Sequence, residues 1–217
     1  KLFIVQKAQG SHITKDKKES SKKEKDKKVV LYAPTFSKKL TSLEDCFDTI
    51  KHLIETRDWH WLIKFHPLTD IHWVKQYKSL LGNNVEFVES QSILPLLKAA
   101  DVLLSDTSSV IGEFSLLEKP VVTLNNSEPE PHLFNVSRAE LIEGALNSAL
   151  QLNADSLNKI KKSNAASHPY NDGHSSRRVL DSIDNIIENN IKPPKKRPMN
   201  LFRNYELRKK LSYWRPF

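Results

Sequence analysis

From position 29 onward the chain alternates short, nearly continuous apolar runs with longer stretches in which apolar residues recur every three or four positions. "VVLYAPTF" (29–36) reads as a strand closed by Pro34. "SLEDCFDTIKHLIETRD" (42–58) puts Leu43, Phe47, Ile50, Leu53 and Ile54 on one helical face, with Ser42 at the N-cap. "WHWLIKF" is a strand ended by His66-Pro67, "DIHWVKQYKSLLG" a helix stopped at Gly82, and "NVEFVE" another strand.

The alternation continues. "SILPLLKAA" is a short helix, "DVLLS" a strand, "SSVIGEFSLLEK" a helix and "PVVTL" a strand. "SRAELIEGALNSALQL" opens with a capping box from Ser137 to Glu140 and carries Ile142, Leu146, Ala149 and Leu150 at helical spacing. "SSRRVLDSIDNIIENN" repeats that period with Val179, Ile183, Ile186 and Ile187. Strands that are apolar on both faces, separated by helices, imply a parallel sheet covered on both sides. The predicted fold is a doubly wound α/β domain over 29–191. Before it lie a strand-like "KLFIV" and a charged linker (1–28), and after it a basic, aromatic tail (192–217).

Charge sharpens this division. Of the net +8, residues 15–28 hold +4 and residues 192–217 hold another +8, so 29–191 is mildly acidic. A fold that binds nucleic acid would carry its basic patch on folded surface, so no nucleic-acid partner is expected. No apolar run approaches the ~18 residues of a membrane span. A chain opening at Lys1 with a strand is expected to be a piece of a longer protein. The lone Cys46, within an apolar helical stripe, excludes an internal disulfide and a cysteine metal cluster. It reads as a small core residue and suits a reducing compartment. No cofactor or metal is implied.

In a doubly wound sheet, ligands bind beyond the carboxyl ends of the strands. Those ends are Ala33-Pro34-Thr35, Lys64-Phe65-His66-Pro67, Glu89-Ser90 and Ser105 to Ser109. The chain has neither GxGxxG nor GxxxxGK[ST] and only five glycines, so a phosphate site would have to rely on hydroxyls and a helix N-terminus. Asp106-Thr107-Ser108-Ser109 fits that need, although one such residue would suffice as a helix cap. Glu113, one turn on, is placed either for ribose hydroxyls or as an ordinary first-turn carboxylate. Lys64 and His66 share one side of a strand end; His66 can hydrogen-bond a phosphate or serve the structure. In "HPYNDGHSSRRVL", Ser175 or Ser176 would cap the last long helix. Arg177 and Arg178 near its start call for an anion, either a phosphate or a carboxylate.

Taken together and in order, "VLYAPTF", "KFHP", "LLSDTSSVIGEFSLLEKPVV" and "YNDGHSSRRVLDSI" resemble the CDP-glycerol glycerophosphotransferase family, which builds teichoic acids and related capsule polymers. The resemblance implies the Rossmann-like C-terminal domain of a GT-B architecture. It also implies transfer of glycerol phosphate, or a related polyol phosphate, from a CDP-activated donor to a cell-surface polymer or its lipid-linked primer. His66 matches the family's leaving-group-stabilising histidine, Ser108 and Ser109 its pyrophosphate-binding hydroxyls, and Glu113 an acidic residue suited to the ribose. Pro34, Thr35, Lys64, Asp106 and Thr107 complete the expected nucleotide site. Asp172, Gly173, Ser176 and Arg178 match D-G-x-[AS]-S-x-R. Thr107 stands where a Tyr is commoner, and Ser37 where an Arg often follows the aromatic residue. The family's base is a histidine in an N-terminal half that this chain does not contain, so the chain alone is expected to bind nucleotide and turn over little.

Two other readings stay open. One is a GT-B nucleotide-sugar glycosyltransferase or a UDP-sugar epimerase-like enzyme. The other is a catalytically silent domain that docks a biosynthetic complex at the membrane. The tail mixes nine basic residues with Leu201, Phe202, Tyr205, Leu207, Leu211, Tyr213, Trp214 and Phe217. Such a mixture suits an anionic membrane surface, implying a cytoplasmic enzyme peripheral at the inner face of the cell membrane.

Overall fold

A computed structural model of the chain describes residues 27–90, 92–192 and 199–213. The elements are β1 (Lys28–Tyr32), α1 (Leu43–Thr56), β2 (Trp59–Ile63), α2 (Ile71–Lys78), β3 (Val85–Phe87), α3 (Leu94–Ala99), β4 (Val102–Ser105), α4 (Val110–Ser115) and β5 (Val121–Leu124). Then come β6 (Phe134–Val136), a 3-10 turn (Ala139–Leu141), α5 (Ile142–Leu150), α6 (Ala154–Ser167), α7 (Ser175–Glu188) and α8 (Leu201–Lys210). All five strand pairings are parallel, and the spatial order is β3-β2-β1-β4-β5-β6. The chain winds outward from β1 to β3, returns to the other side of β1 as β4, and winds outward again. The doubly wound fold expected from the pattern is the fold observed.

Alternate residues of each strand face opposite layers. On one side Val30, Tyr32, Trp61, Ile63, Leu104 and Val122 pack with Leu43, Cys46, Ile50 and Leu53 of α1 and Ile142, Leu146 and Ala149 of α5. On the other, Val29, Leu31, Leu62, Leu103 and Val121 meet Leu96 and Leu97 of α3 and Val110 and Phe114 of α4. Each such burial stabilises by about 1.5–3 kcal/mol for a Val, Leu, Ile or Phe. Because both faces are covered, the central strands β1, β4 and β5 are apolar at consecutive positions.

Three elements were not announced by the pattern: β6, α6 and α8. β6 is three residues long, with an exposed Asn135 at its centre, and α6 buries a single residue, Ile160. A local signal for α6 does exist, since the Asn153 side chain caps it by accepting from the Ser156 amide at 2.8 Å. The expected capping box at Ser137 does not form: Ala139–Leu141 make a 3-10 turn, and α5 starts at Ile142 without a side-chain cap.

The chain divides into two compact units at Pro169/Tyr170, so the expected boundary at 191 falls inside the second unit. α7 belongs to the second unit, and none of its residues is buried. Its periodicity is that of an amphipathic helix, but the apolar face stays exposed, with Ile187 70% accessible. The predicted "KLFIV" strand and residues 1–26 of the expected linker lie outside the described residues. No helix among the described residues is long and apolar enough to cross a membrane.

Candidate functional site

The winding direction reverses between β1 and β4, so their carboxyl ends flank the crevice in which doubly wound sheets hold ligands. The β1 end continues into Ala33-Pro34-Thr35 and the β4 end into Asp106. Asp106 joins them. Its Oδ1 accepts from the amides of Thr35 (2.9 Å) and Thr107 (2.6 Å), and its Oδ2 accepts from the Ser42 amide (2.9 Å) and the Ser42 hydroxyl (3.1 Å). The residue is 0% exposed. Burial pushes its carboxyl above the ordinary aspartate range, with the four donors pulling the other way. Asp106 is thus a clamp that sets the two loops relative to each other. Ser42 stands at the N-cap of α1, as its sequence position suggests, but its hydroxyl serves Asp106 and Tyr32 and does not cap the helix.

Past the clamp the chain turns into α4. Neither Ser108 nor Ser109 caps this helix with its side chain, although Ser109 occupies the N-cap position. Of the two uses open to these hydroxyls, capping is not the one the structure makes of them. Both line a cleft of about 380 Å³ together with Pro34, Lys64, His66 and Glu113. Residues from four separate stretches meet there, Ile93 being the sole contribution of one of them. Thr35, Asp106 and Thr107 are not in its lining: the Thr35 and Thr107 amides go to Asp106, and the Thr107 hydroxyl accepts from the Ser127 amide at 3.1 Å.

His66 is held by two contacts. Its Nδ1 accepts from the Leu68 amide at 3.1 Å, which in the neutral ring leaves the proton on Nε2, available as a donor. The Phe36 ring stacks on the imidazole at a centroid distance of 4.3 Å. Phe36 was not among the expected site residues. Its signal was an exposed-type aromatic directly after a strand-closing Pro-Thr pair, which has no periodicity to reveal it. Lys64 lines the cleft, while its ammonium donates to the Phe65 carbonyl at 3.0 Å. Among the described residues no group of three or more His, Cys, Asp or Glu could hold a metal ion.

The second unit contains the remaining expected residues. Gly173 has φ +75°, the left-handed region in which a side chain is strained, and so turns the chain into α7. Asp172 accepts from the His174 amide at 3.0 Å and is paired with Arg178, which also lies 4.0 Å over the Tyr170 ring. The hydrogen bond from Arg178 holds the Asp172 carboxyl below the usual carboxylate range. Arg177 pairs with Asp181 at 2.8 Å. The arginines at the start of α7 therefore find carboxylates, and the helix begins after His174 with no side-chain cap from Ser175 or Ser176.

The fold and the cleft at the β1/β4 switch point define a Rossmann-like α/β domain. Solved structures share it. The wall teichoic acid polymerase TagF superposes with a TM-score of 0.55 at 16% identity, over 88% of this chain and 49% of that one. A putative UDP-N-acetylglucosamine 2-epimerase from Listeria monocytogenes superposes with 0.56 at 17%, over 90% and 54%. At such identities the likeness establishes the fold alone. The family comes from sequence: the chain belongs to the CDP-glycerol:poly(glycerophosphate) glycerophosphotransferases, whose family model matches residues 5–128. It is 27% identical over 180 residues to the teichoic acid glycerol-phosphate primase of Bacillus subtilis (strain 168), covering 74% of this chain and 44% of the primase. The chain thus spans less than half of that relative's length.

Proposed function

We propose that this chain supplies the donor-nucleotide site of an enzyme that transfers glycerol phosphate, or a related polyol phosphate, from a CDP-activated donor to a cell-surface polymer or its lipid-linked primer. The observation that carries the reading is the cleft in which His66, Ser108, Ser109 and Glu113 meet. The Ser108 and Ser109 hydroxyls, with the amides at the start of α4, receive the pyrophosphate, and Glu113 accepts from the ribose hydroxyls. An acceptor hydroxyl attacks the β-phosphorus, the bond to the bridging oxygen breaks, and CMP leaves. His66, with Nδ1 occupied by the Leu68 amide, directs Nε2–H at the departing phosphate and offsets its charge. Asp106 acts through position, holding Thr35 and the 107–109 turn in place. Asp172, Gly173, Ser176 and Arg178, in the turn before α7 of the second unit, carry the D-G-x-[AS]-S-x-R pattern and are phosphate-binding candidates in their own right.

The enzyme works at the cytoplasmic face of the membrane, against which α8 lies. Leu201, Phe202 and Leu211 are 67–80% exposed beside Arg203, Lys209 and Lys210. Such a surface gains about 1 kcal/mol per basic residue near anionic lipid.

Calorimetric titration with CDP, CMP, UDP and UDP-sugars tests the donor site. Cytidine preference is expected. Preference for uridine would favour a nucleotide-sugar enzyme, and absence of binding a docking role. Replacing both Ser108 and Ser109 by Ala should weaken CDP at least tenfold, about 1.4 kcal/mol. The melting temperature should hold, since neither side chain caps α4.

A further inference from the structure

A second cleft, of about 410 Å³, opens between another face of α4, the β5–β6 loop and α6. Two polar atoms in its wall are buried without a hydrogen-bond partner: Ser115 Oγ and His132 Nδ1, in residues that are 3% and 8% exposed. Buried polar atoms in folded proteins are nearly always paired, so two in one cavity wall mark a place where something else supplies the partners. Glu130 Oε2 stands 3.4 Å from His132 Nδ1, outside hydrogen-bond geometry, and accepts from the Ser163 hydroxyl at 3.1 Å. Asn164 ties α6 to α4 by donating to the Ser115 carbonyl at 2.7 Å. A helix with one buried apolar residue is thus held at this spot by polar contacts arranged around the opening.

The chemistry of the lining selects a ligand class. No Lys or Arg lines the cleft, and Glu130 does, so a phosphate or carboxylate would face repulsion with nothing to offset it. Burial lowers the pKa of His132 against the pull of Glu130, so the ring is neutral and offers one donor and one acceptor. Three serine hydroxyls (Ser115, Ser163 and Ser167), a neutral imidazole and a carboxylate match hydroxyl groups, each of which both donates and accepts. Ile111, Leu133 and Ala166 supply apolar wall for the carbon skeleton between such hydroxyls. We infer that this cleft binds a neutral polyhydroxylated group, a polyol or sugar unit. A shallower hollow of about 320 Å³ shares Ile111, Glu130 and Leu133 with it and reaches Ser108 and Ser109. Resting on the function proposed above, the unit bound is a polyol of the acceptor polymer, led along this track toward the donor phosphate.

The test is NMR titration of the isotope-labelled whole chain with glycerol and ribitol, glycerol 3-phosphate serving as the charged comparison. Saturable shifts of Ser115, His132 and Ser163 are expected, tighter for the neutral polyols than for the phosphate. Ser115→Ala, and independently Ala166→Trp on the exposed side of α6, should each weaken binding at least about tenfold. CDP affinity measured on the same samples should not change. Shifts that do not saturate, that survive Ala166→Trp, or that favour the phosphate would overturn the inference. CDP binding without polyol binding sinks this inference and leaves the donor site standing; polyol binding without CDP binding does the reverse.

Discussion

Replacing Asp106 by Ala removes one acceptor group from four donors: the amides of Thr35, Ser42 and Thr107, and the Ser42 hydroxyl. The cost can be apportioned. The Ser42 amide is buried and would lose its partner outright, at about 1–3 kcal/mol. The Thr35 and Thr107 amides are only part-buried and can turn to water, at about 0.5–1.5 kcal/mol each. The Ser42 hydroxyl keeps Tyr32 at 3.1 Å. Against these losses stands relief from burying a charge, which the raised pKa of Asp106 reports. The net expectation is a destabilisation of about 2–4 kcal/mol. Urea unfolding followed by the fluorescence of Trp59 and Trp61, both in the core, measures it as a lower midpoint at unchanged slope. Asp106→Asn keeps one carbonyl oxygen and should lose about half as much. The pH dependence has a definite sign. A carboxyl whose folded pKa is raised binds its proton more tightly in the native state. Its contribution is therefore fully present below the unfolded pKa and is lost as pH rises through the folded one. The stability advantage of wild type over Asp106→Asn should shrink as pH rises across that acidic window. If Asp106→Ala costs less than about 1 kcal/mol yet abolishes CDP binding, Asp106 is a ligand group and the clamp is wrong.

Four further outcomes are expected. Cys46 is buried and its thiol is pushed up to about 12, so native protein should resist alkylation by iodoacetamide and react only once unfolded; fast labelling of the native state by mass spectrometry would contradict this. Phe36→Leu removes the ring stacked on His66, and an aromatic pair is worth about 0.5–1.5 kcal/mol, so turnover of an active form of the enzyme should fall up to tenfold and return with Phe36→Tyr. His66→Ala should lower that turnover by about two orders of magnitude without lowering the melting temperature, and deletion of residues 195–217 should abolish salt-sensitive co-sedimentation with anionic liposomes; a collapsed melting temperature would make His66 structural, and binding that persists would free the tail from that role.

The alternation of apolar runs and helical periods, present in the one-dimensional chain, was enough to specify a doubly wound parallel sheet, because a strand covered on both faces must be apolar at consecutive positions. That in turn located His66, Ser108 and Ser109 at one edge, since parallel strands all end on the same side. Local patterns, however, carry no record of distant partners. Asp106 and Ser109 belong to the same four polar residues, but one is a buried clamp and the other lines the cleft. The difference is decided by Thr35 and Ser42, which lie 71 and 64 residues away from Asp106 in sequence. His66 owes its stacked partner to a loop thirty positions upstream, reached only once β1 and β2 pair. The cap signal at Ser42 failed for the same reason: its hydroxyl found a carboxylate from another loop before it found its own helix. The cleft at Ser115 and His132 exists only because α6, a helix without an apolar stripe, is pinned to α4 by an asparagine 49 residues from the carbonyl it meets. Hydrogen-bond partners chosen through space, unlike the period of a buried face, are settled only when the chain has closed on itself.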